Sequence, residues 1–480
     1  MLYRAISFVV GLTLMSFELV AARILAPSIG SSTYIWTNVI GVILGAMALG
    51  YFYGGKRADE KQQVLDIANF CLLAAAAMTA ALVLHKSLTF FLASTLIDAR
   101  LQGLIAALVL FAPASFVFGA ISPLLVRFSV KSLQNTGKQV AALSAFNTIG
   151  GIVGTFLTGF FLFSYLGSNN ILLSLIILMV VISFFIETKT KFWDRLAWAL
   201  LTVLVALWFS LDSDLAKTVS IDTASAHYEI ATLRWYDEKK IVGLRTGPTG
   251  IQSGRYTDGN PDLVFWYTQQ ISEVIDQQIN TTEANKILIL GGGAFTLPEF
   301  LAKKYPHSQI EVVEIDPALI TIAQKYFYFD PPSNLKIISA DARAFVNQEA
   351  RAGDLYDFIV VDIYSDSFIP WQFITKEFGD NLARLLKTNG TVIVNVIASI
   401  EGACTDLFQA INSTYAPNFI STQYRTQIAR SDSRGNMILV YGPSNTSIDG
   451  YNPIPTTPLV VYTDNFAPIE RLTQKCLSSQ

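Results

Sequence analysis

Glycine and acidic residues follow short apolar segments at several points in the C-terminal part of this 480-residue chain. The run Gly291, Gly292 and Gly293 follows the apolar segment Lys286–Leu290, and Glu314 ends another such segment 21 residues after Gly293. Glycine lets a backbone approach a ligand where a Cβ atom would clash. An acid about 20 residues after such a run hydrogen-bonds ribose hydroxyls in dinucleotide-binding folds. The spacing therefore predicts a nucleoside site.

Two aspartates hold the equivalent position after two further apolar segments. Asp341 follows residues 335–339, and Asp362 follows residues 356–361. Each aspartate is therefore a candidate ligand contact at the end of a predicted strand. The alternative interpretation is that these carboxylates only cap helices and turns, because short polar side chains readily bond to nearby backbone groups.

The elements that must position these residues alternate between strands and helices. Apolar strands are predicted at residues 286–290, 309–316, 335–339, 356–361 and 390–396. Such alternation is typical of a doubly wound, Rossmann-like α/β sheet, in which ligands bind at the carboxyl ends of the strands. We predict a methyltransferase-type domain of this class at residues 285–480, preceded by a small β-rich domain and connecting helix at residues 213–284.

The N-terminal half has a different composition. Charged residues make up 15% of the chain, against about 25% in soluble proteins. Residues 1–212 hold 13 Lys and Arg against 8 Asp and Glu, whereas the remainder holds 21 against 29, and an acidic second half argues against nucleic-acid binding. We predict an α-helical bundle in the cell (inner) membrane, because seven apolar stretches approach the ~20 residues that cross a bilayer. They lie at about residues 5–26, 34–54, 64–84, 102–123, 140–162, 170–187 and 196–211.

Lysine and arginine residues predict the orientation of this half. Lys56 and Arg57 follow the second apolar stretch, and Arg127 and Lys138 lie between the fourth and the fifth. By the positive-inside rule these loops are cytoplasmic, and so is the N-terminus. The soluble half lies outside the cytoplasm if the short seventh stretch crosses, and inside if that stretch lies on the membrane surface. The sequence leaves both possibilities open.

The cysteines give little sign of chemistry. Cys71, Cys404 and Cys476 form no CxxC motif, so we expect neither a metal site nor a disulfide framework. Cys404 and Cys476 would pair in an oxidising compartment, but we expect two free thiols. In the fifth apolar stretch, Gly150 and Gly154 have the GxxxG spacing, which predicts close helix packing.

Four motifs of the C-terminal half resemble the spermidine synthase (polyamine aminopropyltransferase) family. The motifs are Ile289-Leu-Gly-Gly-Gly, Val312-Val-Glu-Ile-Asp-Pro317, Asp341-Ala-Arg-Ala-Phe345 and Tyr356-Asp-Phe-Ile-Val-Val-Asp362. The resemblance covers about residues 222–440. The whole chain is similar to the fused form of the family, in which a multi-span membrane half precedes the synthase-like half.

The resemblance implies transfer of an aminopropyl group from decarboxylated S-adenosylmethionine to putrescine or a related amine. It matches Asp362 with the proton-accepting aspartate and Glu314 with the residue that binds the donor ribose. Asp341 matches the aspartate near the adenine amino group, and Gln252 matches a glutamine of the small sheet; Ala342 is a further candidate for donor binding. An alkylammonium with a pKa of about 10 must lose a proton before it attacks, so a carboxylate base suits this chemistry.

The chain departs from the family pattern on the amine side. Ala294 stands where the family has an aspartate that contacts the aminopropyl amine, and a Tyr-His-Glu segment reads Tyr267-Thr-Gln here. Glu229 replaces a glutamine, and Asp362 and Asp366 are four residues apart instead of three. The candidate substrate-binding residues are Tyr267, Tyr364, Asp366, Asp464 and Glu470.

Two alternative functions remain open. S-adenosylmethionine itself would suit a site with Ala294, which predicts a methyltransferase of an envelope substrate. Glu18 is ionisable and lies in a predicted span, where such residues are functional candidates by default. It suggests a non-catalytic polyamine sensor or transporter. The predicted partners are the lipid bilayer and a small amine, with a possible homodimer and no metal.

Overall fold

The computed structural model describes residues 1–30, 32–60, 65–95, 98–130, 135–186, 192–211, 218–223, 225–235, 239–247, 250–351, 355–364, 369–427, 433–443, 447–454 and 461–477. The chain forms two compact units, Met1–His227 and Tyr228–Gln480. The finer division predicted at residues 212 and 284 stays a prediction.

The first unit is mainly helical. Its helices are α1 (Leu2–Ile29), α2 (Thr33–Glu60), α3 (Leu65–Thr95), α4 (Ala99–Leu110), α5 (Ala112–Ser129), α6 (Thr136–Leu157), α7 (Phe163–Tyr165), α8 (Ser168–Phe185) and α9 (Phe192–Leu211). A π-helical turn, Thr158–Leu162, joins α6 to α7. Among the described residues, seven helical segments are long and apolar enough to cross a membrane. They overlap the seven predicted stretches, so the predicted helical first half is confirmed.

The fourth predicted stretch is divided between two helices. Helix α4 ends before Phe111, and α5 begins at Ala112 with Pro113 in its first turn. Proline fits a first turn because its missing N–H would have no partner there. The membrane-length helix is therefore α5, which starts later than the predicted residue 102.

Small residues bring α1 and α6 into close contact. A Cβ atom on Gly150 would overlap with the carbonyl oxygen of Phe8, and one on Gly154 would overlap with that of Leu12. The Ser16 hydroxyl donates a hydrogen bond to the Gly154 carbonyl at 3.2 Å. The close packing predicted from the GxxxG spacing is confirmed, and a hydroxyl bond adds to it.

The second unit is built on two sheets, and the short strand β1 (Thr218–Asp222) precedes it. The further strands are β2 (His227–Arg234), β3 (Lys240–Arg245), β4 (Ser253–Tyr256), β5 (Lys286–Leu290), β6 (Gln309–Glu314), β7 (Leu335–Ser339), β8 (Tyr356–Val361), β9 (Leu386–Ala398), β10 (Ser421–Thr426), β11 (Gly435–Gly442) and β12 (Asn452–Pro453). Strands β2, β3 and β4 form an antiparallel sheet. The larger sheet has the order β12-β10-β11-β9-β8-β5-β6-β7.

The larger sheet reverses its strand order beside β5. Strands β6 and β7 lie on one side of β5, β8 and β9 lie on the other, and all five are parallel. Ligands bind beyond the carboxyl ends of such strands, at the point of reversal. The helices of this unit are α10 (Trp266–Gln278), α11 (Thr296–Lys304), α12 (Ala318–Tyr326), α13 (Ala342–Glu349), α14 (Lys376–Leu385), α15 (Thr405–Tyr415) and α16 (Ile469–Leu477). The predicted doubly wound α/β sheet is confirmed.

A disulfide bond joins Cys404 to Cys476, so the expectation of two free thiols is wrong. The two Cα atoms are 4.4 Å apart, although 72 residues separate them in sequence. Helix α16 packs beside the turn Gly402–Cys404, and both cysteines are buried there. Sequence spacing cannot predict such a pair, because the approach of α16 to this turn is a tertiary contact.

Candidate active site

The glycine run lies at the carboxyl end of β5, beside the end of β8. Gly291 has φ 98° and Gly293 has φ 52°, both in the left-handed region that favours glycine. A Cβ atom on Gly291 would overlap with the carbonyl oxygen of Asp362, and one on Gly293 would overlap with the Ser253 hydroxyl. These contacts explain why the turn that leaves β5 consists of glycines.

Glu314 lies next to this turn, at the carboxyl end of β6. Its Oε2 atom accepts a hydrogen bond from the Gly292 N–H at 2.8 Å, and its Oε1 atom accepts one from the Asp316 N–H at 3.0 Å. The side chain is buried, and burial raises its pKa, although the backbone N–H groups oppose the shift. Each carboxylate oxygen has a second lone pair. The oriented carboxylate therefore fits a ligand that presents hydroxyl donors, as a ribose does.

Asp362 follows β8 and lies at the same edge of the sheet. Its backbone N–H donates to the Leu290 carbonyl at 3.0 Å, which ties it to the end of β5. Burial raises the pKa of its carboxyl group to about 6, against the opposing effect of a hydrogen bond from Asn395. A carboxyl group with this pKa can accept a proton near neutral pH.

A chain of amides orients the Asp362 carboxylate. The Asn395 Nδ2 atom donates to Asp362 Oδ1 at 2.8 Å, and Asn395 Oδ1 accepts from Asn436 Nδ2 at 3.0 Å. Asn395 is buried in β9, and Asn436 is on the neighbouring strand β11. These asparagines were not among the predicted site residues. The only sequence signal is an amide within the apolar segment of β9, at Asn395.

Two tyrosines lie near Asp362. Burial, and then the negative charge of Asp362, raise the pKa of Tyr267 well above its usual range. The Tyr267 hydroxyl donates to the Gln252 carbonyl at 2.9 Å. The Tyr364 hydroxyl accepts from the Ile397 N–H at 2.7 Å. Both phenols therefore stay neutral, and their hydroxyl groups lie near the Asp362 carboxylate.

Gln252 extends the site from the small sheet. Its backbone N–H donates to the Leu244 carbonyl at 2.8 Å. Its side-chain Nε2 atom is buried and makes no hydrogen bond to any described residue. A buried amide without an acceptor is costly, so this atom suits an acceptor on a bound ligand. The neighbouring Ser253 hydroxyl accepts from the Ala294 N–H at 3.1 Å, beside the glycine turn.

Asp341 and Ala342 lie beyond the carboxyl end of β7. Asp341 is exposed, and its Oδ1 atom accepts from the Ala344 N–H at 2.9 Å, so it caps α13. Ala342 is buried. Because Ser339 of β7 pairs with Glu314 of β6, both residues follow the strand that neighbours the Glu314 position. Their role as nucleoside contacts stays a prediction.

The acidic residues near the C-terminus have partners of their own. Asp464 Oδ2 forms an ion pair with Arg343 Nη2 at 2.6 Å, and the Asp464 N–H donates to Glu377 Oε2 at 2.9 Å. Glu470 lies in the first turn of α16. Asp366 lies outside the described residues. Amine binding by these three residues stays a prediction.

This arrangement defines the class of protein. A parallel, doubly wound sheet presents a close-packed glycine turn, a buried carboxylate oriented by backbone N–H groups, and a second carboxylate with a raised pKa at one edge. Such a site can hold a nucleoside and remove a proton beside it, as a group-transfer enzyme requires.

Comparisons with known proteins agree with this class. Residues 264–451 match the family model of the spermine/spermidine synthase domain. A polyamine aminopropyltransferase of Vibrio vulnificus is 27% identical over 203 residues, which are 42% of this chain and 66% of that protein. An eEF1A lysine and N-terminal methyltransferase of Xenopus laevis is 33% identical over 118 residues, which are 23% of this chain and 17% of that protein.

A solved structure aligns with the chain more weakly. A probable spermidine synthase from Corynebacterium glutamicum aligns with 47% of this chain and 79% of its own, with a TM-score of 0.39 and 22% sequence identity. Residues 264–451 are therefore similar to the spermine/spermidine synthase domain, and the chain spans less than two thirds of the length of these curated relatives. The family match begins at residue 264, so it does not include the helical first unit.

Proposed function

We propose that the chain is a membrane-anchored aminopropyltransferase, which moves an aminopropyl group from decarboxylated S-adenosylmethionine to putrescine or a related amine. The observation that carries the proposal is the Asp362 carboxylate, held by Asn395 at 2.8 Å, with a pKa of about 6 and beside Tyr267. Seven apolar helical segments support membrane anchoring in the cell (inner) membrane.

Asp362 would act as the general base. Its Oδ1 atom is held by Asn395, whereas Oδ2 makes no hydrogen bond to the described residues. This second oxygen would accept a proton from the acceptor ammonium. The amine lone pair then forms a bond to the aminopropyl carbon next to sulfur, the carbon–sulfur bond breaks, and its electron pair stays on the sulfur. The sulfonium charge is lost and a neutral thioether leaves.

The donor nucleoside would bind at the other end of the site. Glu314 would accept hydrogen bonds from the ribose hydroxyls, because backbone N–H groups already orient both of its oxygens. The glycine turn would let the backbone approach the ribose without steric overlap. The Gln252 Nε2 atom would gain the acceptor that the described residues do not provide. Each of these residues binds or orients, and none takes part in bond breaking.

An assay with purified protein in detergent tests this proposal. We expect spermidine to form from putrescine and the decarboxylated donor, with loss of product in Asp362→Asn. Asp449→Asn is a matched control, because Asp449 is exposed and carries the same change. If the native protein makes no product under conditions in which a soluble synthase is active, aminopropyl transfer to putrescine is excluded.

Methyl transfer from S-adenosylmethionine is a second candidate, and Ala294 favours it. Ala294 is 1% exposed and provides no carboxylate that could pair with an aminopropyl ammonium. The similarity to the Xenopus laevis methyltransferase also favours methyl transfer. Calorimetry with both sulfonium compounds separates the candidates. Tighter binding of the intact compound would favour methyl transfer to an envelope substrate, and tighter binding of the decarboxylated one would favour aminopropyl transfer.

A further inference from the structure

The start of α9 lies beside the end of α8. The Arg195 guanidinium of α9 donates a hydrogen bond to the Ser183 carbonyl near the end of α8. The rings of Phe184 and Phe192 also meet there, with centroids 6.0 Å apart. The first residues of α9 therefore lie at the end of α8 that carries Phe185.

The segment that follows α9 lies at the opposite end of α8. Asp222 of β1 accepts a hydrogen bond from the Ser168 N–H, at the first residue of α8, at a distance of 2.6 Å. Arg23, near the end of α1, donates to the carbonyl of Thr223. Helix α8 has 18 residues, which at 1.5 Å each amount to about 27 Å. The chain thus enters α9 at one end of α8 and continues from the other.

The middle of α9 lies along the middle of α3. A groove between these helices is lined by Ala76, Thr79 and Val83 of α3 and by Leu201 and Val205 of α9. The α3 residues are central in its range, Leu65–Thr95. Helix α9 therefore extends from the Phe185 end of α8 past the middle of α3. This excludes an arrangement in which the whole of α9 lies at the Phe185 end of α8.

Exposed tryptophans mark both ends of α9. Trp193 is 77% exposed near its start, and Trp208 is 70% exposed near its end. The two residues are 15 positions apart, which corresponds to about 22 Å along a helix. Tryptophan is enriched at both water interfaces of a membrane. This spacing is consistent with a helix that reaches both interfaces.

The disulfide bond is independent evidence on the compartment. Cys404 and Cys476 are bonded in the second unit. Structural disulfides persist in oxidising compartments and are rare in the cytosol, where thiols are kept reduced. The bond therefore indicates that the second unit folds outside the cytoplasm.

We infer that α9 crosses the membrane and that the active site faces the non-cytoplasmic side, so its acceptor is an extracytoplasmic amine and its donor must also reach that compartment. The inference rests on the proposed membrane anchoring. Lys56, Arg57 and Lys138 mark the cytoplasmic side by the positive-inside rule. Lys138 lies in the first turn of α6, and the chain crosses once, through α6, before it reaches Ser168. Ser168, Asp222 and the chain that continues from Tyr228 are therefore on the opposite side.

Cysteine labelling in the full chain tests the orientation. Native Cys71 is buried and the other two cysteines are bonded, so an added exposed cysteine is the reactive thiol. Asp449→Cys places one in the second unit, and Lys56→Cys places one at the predicted cytoplasmic face; both positions are exposed. The reagent is a maleimide that cannot cross the inner membrane, and the outer membrane, where the cell has one, is first made permeable to it. We expect Asp449→Cys to be labelled while the inner membrane is intact, and Lys56→Cys to be labelled only after the inner membrane is disrupted.

The reverse labelling pattern would overturn the inference while leaving membrane anchoring intact. Recovery of the chain in the soluble fraction after alkaline carbonate extraction would instead overturn anchoring, and the inference with it.

Alkylation of Cys404 and Cys476 in cells is the second measurement. Because both side chains are buried, the cells are quenched in acid and the protein is denatured before alkylation; we then expect both cysteines to be protected until a reductant is added, with Cys404→Ser/Cys476→Ser as the control. Full alkylation without reductant would contradict an oxidising compartment. Neither measurement depends on activity, so failure of the catalytic proposal remains distinguishable.

Discussion

The two ends of the proposed active site are built in different ways. At the predicted nucleoside end, backbone N–H groups make the contacts, as when the Gly292 N–H orients Glu314. At the amine end, side chains from separate strands do so, because Asp362 depends on Asn395 of β9, and Asn395 is in turn bonded to Asn436 of β11. The predicted nucleoside end therefore depends on backbone groups, and the predicted amine end depends on side chains.

This difference agrees with where the chain keeps the family pattern and where it departs from it. The glycine run and Glu314 match the family motifs, whereas Ala294 and the segment after Tyr267 do not. A backbone-built end allows few substitutions, since a Cβ atom on Gly291 would overlap with Asp362. A side-chain network can change one residue at a time.

The largest expected effect is the loss of kcat in Asp362→Asn, which distinguishes a role in catalysis from a role in donor binding. Asp362→Asn removes the proton acceptor, so we expect kcat to fall by about 10²- to 10⁴-fold, the usual contribution of a general base. Donor affinity should stay within a few-fold, because Asp362 lies at the other end. Steady-state kinetics and donor calorimetry measure both quantities. A variant that retains more than a tenth of native kcat would show that another group accepts the proton.

The next effect tests the nucleoside end. Glu314→Gln removes the negative charge that would accept the ribose hydroxyls, so we expect donor affinity to fall by about 10- to 100-fold, from 1.5–3 kcal/mol for charged hydrogen bonds. The rate at saturating donor should change little. Calorimetry is the measurement, and Glu283→Gln, at an exposed position, is the control. Unchanged donor affinity would place the nucleoside elsewhere.

A smaller effect tests the link between Asn395 and Asp362. The base must be deprotonated, so native activity should fall as pH drops through about 6, the pKa of Asp362. Asn395→Ala removes the hydrogen bond that lowers this pKa. The acidic limb of the pH–rate profile should therefore move to higher pH, by about one unit. A purely structural role would lower activity at every pH and leave the limb in place.

The smallest expected effect concerns Tyr267. Tyr267→Phe removes the hydroxyl that donates to the Gln252 carbonyl at 2.9 Å. Tyr267 is also a predicted amine contact, and one neutral hydrogen bond contributes about 0.5–1.5 kcal/mol, so KM for the amine should rise roughly 2- to 10-fold with kcat nearly unchanged. Tyr328→Phe, at an exposed position, is the matched control. A larger fall in kcat than in affinity would indicate that the phenol contacts the reacting atoms.

The elements of the sheet follow from local sequence pattern. Apolar segments of five or six residues predicted β5 and β8, because parallel strands covered on both faces are apolar throughout. Gly291 and Glu314 were predictable as well, since a glycine turn after a strand and an acid at the end of the next are features of neighbouring residues. The apolar helices of the first unit were predictable for the same reason, although the break at Phe111 was not.

The chain by itself predicted the strands of the sheet, the helical first half, and the glycine and acidic residues of the proposed nucleoside end, because each is marked by a pattern among neighbouring residues. Only the tertiary structure decided which partners meet across longer separations. Asn395 reaches Asp362 over 33 residues, and Cys404 meets Cys476 over 72. Asp222 meets Ser168 over 54 residues. No periodicity encodes such pairs, since they arise when packed elements bring distant side chains together.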